Sequence, residues 1–237
     1  MQKIRGDRIG MVFQEPMTSL NPTQRIGRQI AEVLSLHRGM EYGETKSLVM
    51  NVLKKVGIGN AERRLEQYPH ELSGGLRQRV MIAMAIVCEP KLLIADEPTT
   101  ALDVTIQAQI IELLQAVQRD LGLSILLITH DLGIVAEMCR SVAVMYAGRI
   151  VEGGPTAKIF AKPHHPYTAG LINSSPRQAQ KGERLPSIPG LVPPPGKRGV
   201  GCSFADRCPR ALEKCRRVVP ALLPISGRTL ACWNPVP

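Results

Sequence analysis

The sequence predicts an α/β domain built on a parallel sheet, and three observations carry that expectation. Strand-sized apolar runs occur at Ile9–Phe13, Leu92–Ala95, Ser124–Thr129 and Val142–Tyr146. Between the second and third, Val104–Leu121 sets Ile110, Leu113, Leu114, Val117 and Leu121 at helical spacing; Asp103 can cap its start and Gly122 follows its last apolar residue. Hydrophobic residues make up 44% of the 237-residue chain, enough for a core. A strand–helix–strand unit of this kind is a right-handed parallel crossover, which brings the C-terminal ends of both strands to one rim.

The remaining elements follow in order. Leu72–Arg79 leads into an apolar helix, Val80–Val87. Tyr146-Ala147-Gly148-Arg149-Ile150-Val151 reads as a turn into a short returning strand. Two short helices are expected around Thr156–Phe160 and Pro166–Leu171. The composition changes near residue 176. Pro186, Pro189, Pro193, Pro194 and Pro195 exclude regular helix or central strand and predict a semi-rigid linker. Residues 201–237 then hold four of the six cysteines and little hydrophobic periodicity.

Composition excludes several function classes. No apolar run approaches the ~18 residues of a spanning helix, and residues 1–6 contain no apolar signal core. The net charge is +10, and it is uneven: residues 181–237 carry ten Lys/Arg against three acids. Such a tail suits an anionic partner, nucleic acid or a membrane surface. Aromatics at 3% leave few platforms for stacking single-stranded bases.

Two segments carry chemistry. Leu92-Leu93-Ile94-Ala95-Asp96-Glu97 is an apolar strand ending in adjacent acids. The carboxyl end of a parallel strand faces the ligand crevice; there the first acid can hold Mg²⁺ and the second can deprotonate an attacking water. Leu72-Ser73-Gly74-Gly75 opens a helix. Two glycines there expose backbone N–H groups which, with the helix dipole, suit a phosphate. In isolation, either segment is more often a plain strand end or a plain helix cap.

Together they are not isolated. Leu-Ser-Gly-Gly-x-x-Gln-Arg, then Leu92–Asp103 (LLIADEPTTALD), then Leu-Ile-Thr-His-Asp at 127–131, resemble the ATPase subunits of ABC transporters. Phe13–Pro22, Tyr68-Pro69-His70-Glu71, Thr105–Ile110 and His165-Pro166-Tyr167-Thr168 narrow the resemblance to dipeptide/oligopeptide importers, over essentially the whole chain. The resemblance implies an α/β fold of the P-loop NTPase kind, a parallel-sheet core with a helical signature subdomain. It implies three regions: 1–153 as the ATPase domain, 154–200 as short helices and linker, and 201–237 as a Cys-rich extension. It also implies that Gln14 senses Mg²⁺ and nucleotide, that Asp96 is the magnesium acid and Glu97 the catalytic base. His130 would contact the γ-phosphate, Asp103 would belong to the loop facing the second subunit, and Ser73, Gly74 and Gly75 would close over that subunit's nucleotide. Leu76 stands where the family usually has glutamine, which matters little because the phosphate contacts come from Ser73 and the glycines.

The implied function is ATP hydrolysis powering import of dipeptides or oligopeptides, with ATP and Mg²⁺ as cofactors. A nickel or haem importer of the same branch is the alternative cargo. Implied partners are a second ATPase subunit, two membrane permeases and, indirectly, a peptide-binding protein, with no nucleic acid. The implied location is the cytoplasmic side of the inner membrane, as a peripheral subunit.

One family element is missing. No Gly-x-x-x-x-Gly-Lys-[Ser/Thr] occurs. Gly190–Lys197 has one residue too many, and its prolines lack N–H donors. The domain is therefore expected to be incomplete, either because the chain is truncated or because it is a degenerate subunit that only donates its signature. Glu97 and His130, which a degenerate site is free to lose, favour truncation. Either way this chain alone should bind Mg–ATP poorly, and a micromolar affinity in calorimetric titration refutes that.

The last motif is Cys202-x₅-Cys208-x₆-Cys215-x₁₆-Cys232. On residue chemistry alone the four thiols suit an iron–sulfur cluster, zinc or an unliganded core. Tight Cys-x₂₋₄-Cys pairs, usual for structural zinc, are absent. The importer resemblance points to a [4Fe–4S] cluster. Cys88 and Cys139, in apolar helical contexts, are simplest as core residues. His164 and His165 are adjacent on a loop and are read as structural.

Overall fold

The computed structural model describes residues 3–175, 186–194, 196 and 199–237. Pro195, Lys197 and Arg198 of the expected linker, and Lys181, Glu183 and Arg184 of the basic tail, lie outside the described residues. The chain divides into two compact units, Met1–His130 and Asp131–Pro237.

The first unit runs β1 (Ile9–Val12), α1 (Pro16–Ser19), α2 (Ile26–Arg38), α3 (Tyr42–Lys55), α4 (Ala61–Arg64), α5 (Gly74–Ile86), β2 (Leu92–Asp96), α6 (Val104–Leu121) and β3 (Ser124–Ile128). The expected strands are present, and α6 has the bounds its spacing predicts. The sheet is parallel with order β1-β2-β3. Registers Met11↔Ile94↔Leu126 and Val12↔Ala95↔Leu127 place alternate residues on opposite faces. Val12, Leu93 and Ala95 are buried. Gly10 brings β1 against α5 so closely that a Cβ there would lie 2.2 Å from the Ala85 carbonyl oxygen. The opposite face stays open, with Met11, Leu126 and Ile128 exposed.

The helices follow their sequence physics. Asp103 accepts the Ile106 N–H at 2.9 Å and caps α6, while Gly122 ends it in the left-handed conformation. Helix α2 buries Ile26, Ile30, Ala31 and Leu34, one stripe at helical spacing, and α3 buries Val49, Val52 and Leu53. Both pack on α5, whose Val80, Ile82 and Ala83 are fully enclosed.

The second unit contains α7 (Leu132–Met138), β4 (Ser141–Tyr146), β5 (Arg149–Pro155), α8 (Thr156–Ala161), α9 (Pro166–Asn173), α10 (Glu213–Arg217), β6 (Leu223–Ile225) and β7 (Arg228–Leu230). Its sheet is antiparallel in the order β4-β5-β7-β6. Ala147 and Gly148 both take positive φ, and so turn β4 tightly into β5. Val144, Tyr146, Val151 and Phe204 form its core, with Cys202 and Cys208 packed against them. No regular element was expected beyond residue 201, yet α10 and two three-residue strands form there. The strands are too short to show periodicity and exist by pairing, β7 onto β5 and β6 onto β7. The described prolines 186–194 carry neither helix nor strand.

Candidate functional site

A polar cluster of the first unit sits where its strands end. Beyond β1, Gln14 Nε2 donates to Glu97 Oε2 at 3.1 Å. Beyond β3, His130 Nδ1 lies 3.2 Å from Glu97 Oε1, and with a proton on Nδ1 it donates to that oxygen. Thr100 Oγ1 donates to Glu97 Oε2 at 2.7 Å. The parallel registers produce this meeting, since they bring residues far apart in sequence to adjacent strand ends.

Glu97 holds this position through an uncommon backbone. Its φ is +44°, in the left-handed region, and Ala101 follows at +61°. Non-glycine residues there store on the order of 1–3 kcal/mol and concentrate at functional sites. The turn lets Glu97 N–H reach the Ile128 carbonyl at 2.9 Å, while Thr100 N–H donates to Glu97 O at 3.1 Å. Hydrogen bonds from Thr100 and then His130 hold the Glu97 carboxyl below its ordinary value, against a smaller opposing effect of burial. The side chain keeps 25% exposure, so a water molecule can approach it.

Asp96 ends β2 beside Glu97. No side chain or backbone donor among the described residues hydrogen-bonds its carboxylate, which fits an acid left available to a cation. Ser73, Gly74 and Gly75 open α5, with the Leu76 N–H 3.4 Å from Ser73 Oγ. Among the described residues no hydrogen bond or ion pair joins them to Gln14, Glu97 or His130. Gly75 instead faces the start of α6, where a Cβ would lie 2.9 Å from Ile106 Cγ2. Asp103 is engaged as the cap of that helix. Thr100 is a partner of Glu97 that the sequence reading does not single out; its position three residues after an acid in a Pro-Thr-Thr turn is the signal that could have found it.

In the second unit, Cys202, Cys208, Cys215 and Cys232 are all free thiols. Cys202 N–H donates to Cys215 O at 2.7 Å, and Cys232 is within electrostatic reach of the other three. Burial pushes the Cys232 thiol up to about 11, with smaller contributions from its neighbours. Among the described residues no group of three or more His, Cys, Asp or Glu side chains stands in a metal-holding arrangement. The thiols are gathered without being set as ligands. His165 is buried and caps α9 through Nδ1, which accepts the Tyr167 N–H at 3.0 Å. Cys88 is buried; Cys139 is half-buried at the end of α7.

Comparison with known proteins places this geometry in a class. Residues 1–100 match the ABC transporter family, and residues 151–215 match the oligopeptide/dipeptide transporter C-terminal region. The chain is 55% identical to a peptide import ATP-binding protein of Brucella ovis, over 95% of this chain and 69% of that one. It is 52% identical to the oligopeptide transport ATP-binding protein AppD of Bacillus subtilis, over 98% and 71%. For the oligopeptide transport ATP-binding protein OppD of Salmonella typhimurium the identity is 50%, over 100% and 70%. Among solved structures, cbiO1 of Clostridium perfringens, part of the ABC transporter complex cbiONQ, matches with a TM-score of 0.57 and 36% identity, over 65% of this chain and 60% of that one. The fold is thus that of an ABC transporter ATP-binding protein. Within that class the chain belongs to the ATP-binding proteins of oligopeptide and dipeptide import.

Proposed function

We propose that this chain couples ATP hydrolysis to the import of dipeptides or oligopeptides, and that Glu97 is its general base. The observation that carries the reading is the Glu97 carboxylate, held on two adjacent strand ends by Gln14 and His130. In the proposed reaction Glu97 accepts a proton from water as the water oxygen bonds to the γ-phosphorus. The bond from that phosphorus to the bridging oxygen breaks, its electrons leave with ADP, and inorganic phosphate is released. His130 and Gln14 orient the carboxylate before nucleotide arrives, and each has a polar group to turn toward the γ-phosphate. Mg²⁺, when bound, draws charge from the phosphate oxygens, and Asp96 would hold it, with Gln14 alongside. Ser73 and the N–H groups at Gly74 and Gly75 would bind the γ-phosphate held by a second ATPase subunit, with Asp103 in the loop that faces it. That role agrees with their lack of contact with Glu97.

Gln14 leads directly into α1 (Pro16–Ser19), where Met17 is exposed. This segment would face a membrane permease and link nucleotide state to transporter conformation. No described helix is long and apolar enough to cross a membrane, and the proposed position is peripheral, on the cytoplasmic side. Residues 1–153 would act as the ATPase domain, 154–200 as connector, and 201–237 as a cysteine-bearing module. For that module we propose a [4Fe–4S] cluster on Cys202, Cys208, Cys215 and Cys232, on the donor chemistry of four free thiols in one short stretch; no step of hydrolysis runs through it.

Glu97→Gln, in a subunit that also carries the Gly-x-x-x-x-Gly-Lys-[Ser/Thr] phosphate loop and is assembled into the importer, tests the central assignment. ATP turnover should fall by at least about 10²-fold, the lower range of a positioned general base, with nucleotide binding retained. Turnover at the wild-type rate would remove Glu97 as the base.

A further inference from the structure

The second unit carries an open groove of about 540 Å³, within the size range of small-ligand sites, roughly 300–1,000 Å³. Its lining comes from three stretches: the β4–β5 hairpin around its turn, residues 202–204, and the connection from α10 to β6. The buried Tyr146, Val151 and Phe204 belong to it, and so do the exposed Met145, Ile150 and Leu222. Nothing in the proposed hydrolysis uses this groove.

Its few polar groups are informative. Arg149 is the single charged residue of the lining, and Ser203 brings the single hydroxyl besides Tyr146. The Tyr146 hydroxyl is already engaged, accepting from Arg207 Nη1 at 3.3 Å. The side chains of Arg149 and Ser203 have no hydrogen bond or ion pair among the described residues. No acid lines the groove.

These features select one ligand chemistry. A guanidinium pairs a carboxylate through two parallel hydrogen bonds, and a serine hydroxyl can donate a third. Apolar walls reward an apolar arm, by a factor of about four for each methylene fully buried. A second charge has nothing to meet it here. The ammonium of a zwitterion finds no carboxylate, and a multiply charged anion finds one guanidinium among desolvating apolar side chains.

We propose that this groove binds a medium-chain carboxylate, with Arg149 and Ser203 donating to the carboxylate and the apolar flanks taking its chain.

Isothermal titration of the full chain with octanoate and decanoate, each below its micelle concentration, tests this. One-site binding is expected, with decanoate at least about fourfold tighter than octanoate, the factor for one of its two extra methylenes. Arg149→Gln should weaken decanoate binding at least about fivefold, the loss of a charge-assisted contact discounted for its exposure. Decan-1-ol, which has no charge, should not respond to that variant. Ile150→Asp places a carboxylate on the apolar flank and should weaken decanoate by at least as much; Ile150 is 39% exposed, so the core is left intact. Arg119→Gln removes the same charge from the other unit and should leave the affinity unchanged.

Absence of binding up to the solubility of decanoate overturns the proposal. Unchanged affinity in either Arg149→Gln or Ile150→Asp also overturns it, because the carboxylate then binds elsewhere. A loss in Arg119→Gln equal to that in Arg149→Gln reports net charge alone and has the same consequence. Tighter binding of the dipeptide Leu-Leu than of decanoate, with the same dependence on Arg149, overturns the choice of ligand in favour of a peptide. Retention on phosphatidylglycerol vesicles without binding of free decanoate overturns it in favour of a membrane surface.

Discussion

At the scale of single residues, Glu97 is where local preference and function disagree. A left-handed φ of +44° is unfavourable for glutamate, and the conformation is kept because it aims the carboxylate at Gln14 and His130. Thr100 then supplies the largest of the effects that lower its pKa. Thr100→Val should raise the Glu97 pKa toward the ordinary carboxylate value, read from the pH dependence of its carboxyl NMR resonance; an unchanged or lower pKa contradicts the assignment. Because the folded pKa is lowered, stability from these contacts is present above the ordinary value. It is lost as pH falls through the lowered one. The Asp96-Glu97 pair was legible as a strand-end motif. Thr100 was not, because a hydroxyl three residues along gains meaning only once the turn closes.

At the scale of elements, legibility tracked length and periodicity. Val104–Leu121 could be read from its cap, its apolar stripe and its terminal glycine, and the apolar runs gave β1 to β4. Strands β6 and β7 could not be read this way, though Ser226-Gly227, both at positive φ, was an available hairpin signal. Helix α9 offers a test by pH. Its cap, His165, is pushed down to about 4, chiefly by burial. Between about 6.5 and 4 the unfolded chain takes up a proton that the folded one refuses, so stability falls as pH drops through that window. The loss is on the order of 3 kcal/mol, at ~1.4 kcal/mol for each pH unit the window spans. His165→Gln should flatten that part of the urea-unfolding stability profile relative to wild type. An identical slope would show that other groups cause it.

At the scale of the molecule, the chain's +10 charge suggests an anionic partner when read as composition. In the structure Arg228 is buried on Glu152, while Arg216 and Arg217 pair with Asp206 and Glu213; these neutral pairs leave the +10 excess on other residues. The importer reading requires no nucleic acid to account for it. The sequence by itself determined the class of fold, the transporter family and the identities of the strand-end acids. Those depend on spacing within short segments, which survives in one dimension. Only the tertiary structure decided that Gln14, Thr100 and His130 share one carboxylate. It alone set Ser73–Gly75 apart from that group and buried Arg228 against Glu152. The physical reason is that these contacts join residues from 33 to 83 positions apart, Thr100 excepted, which lies near its carboxylate in the chain. Strand register and burial bring them together, and neither is written in any local pattern.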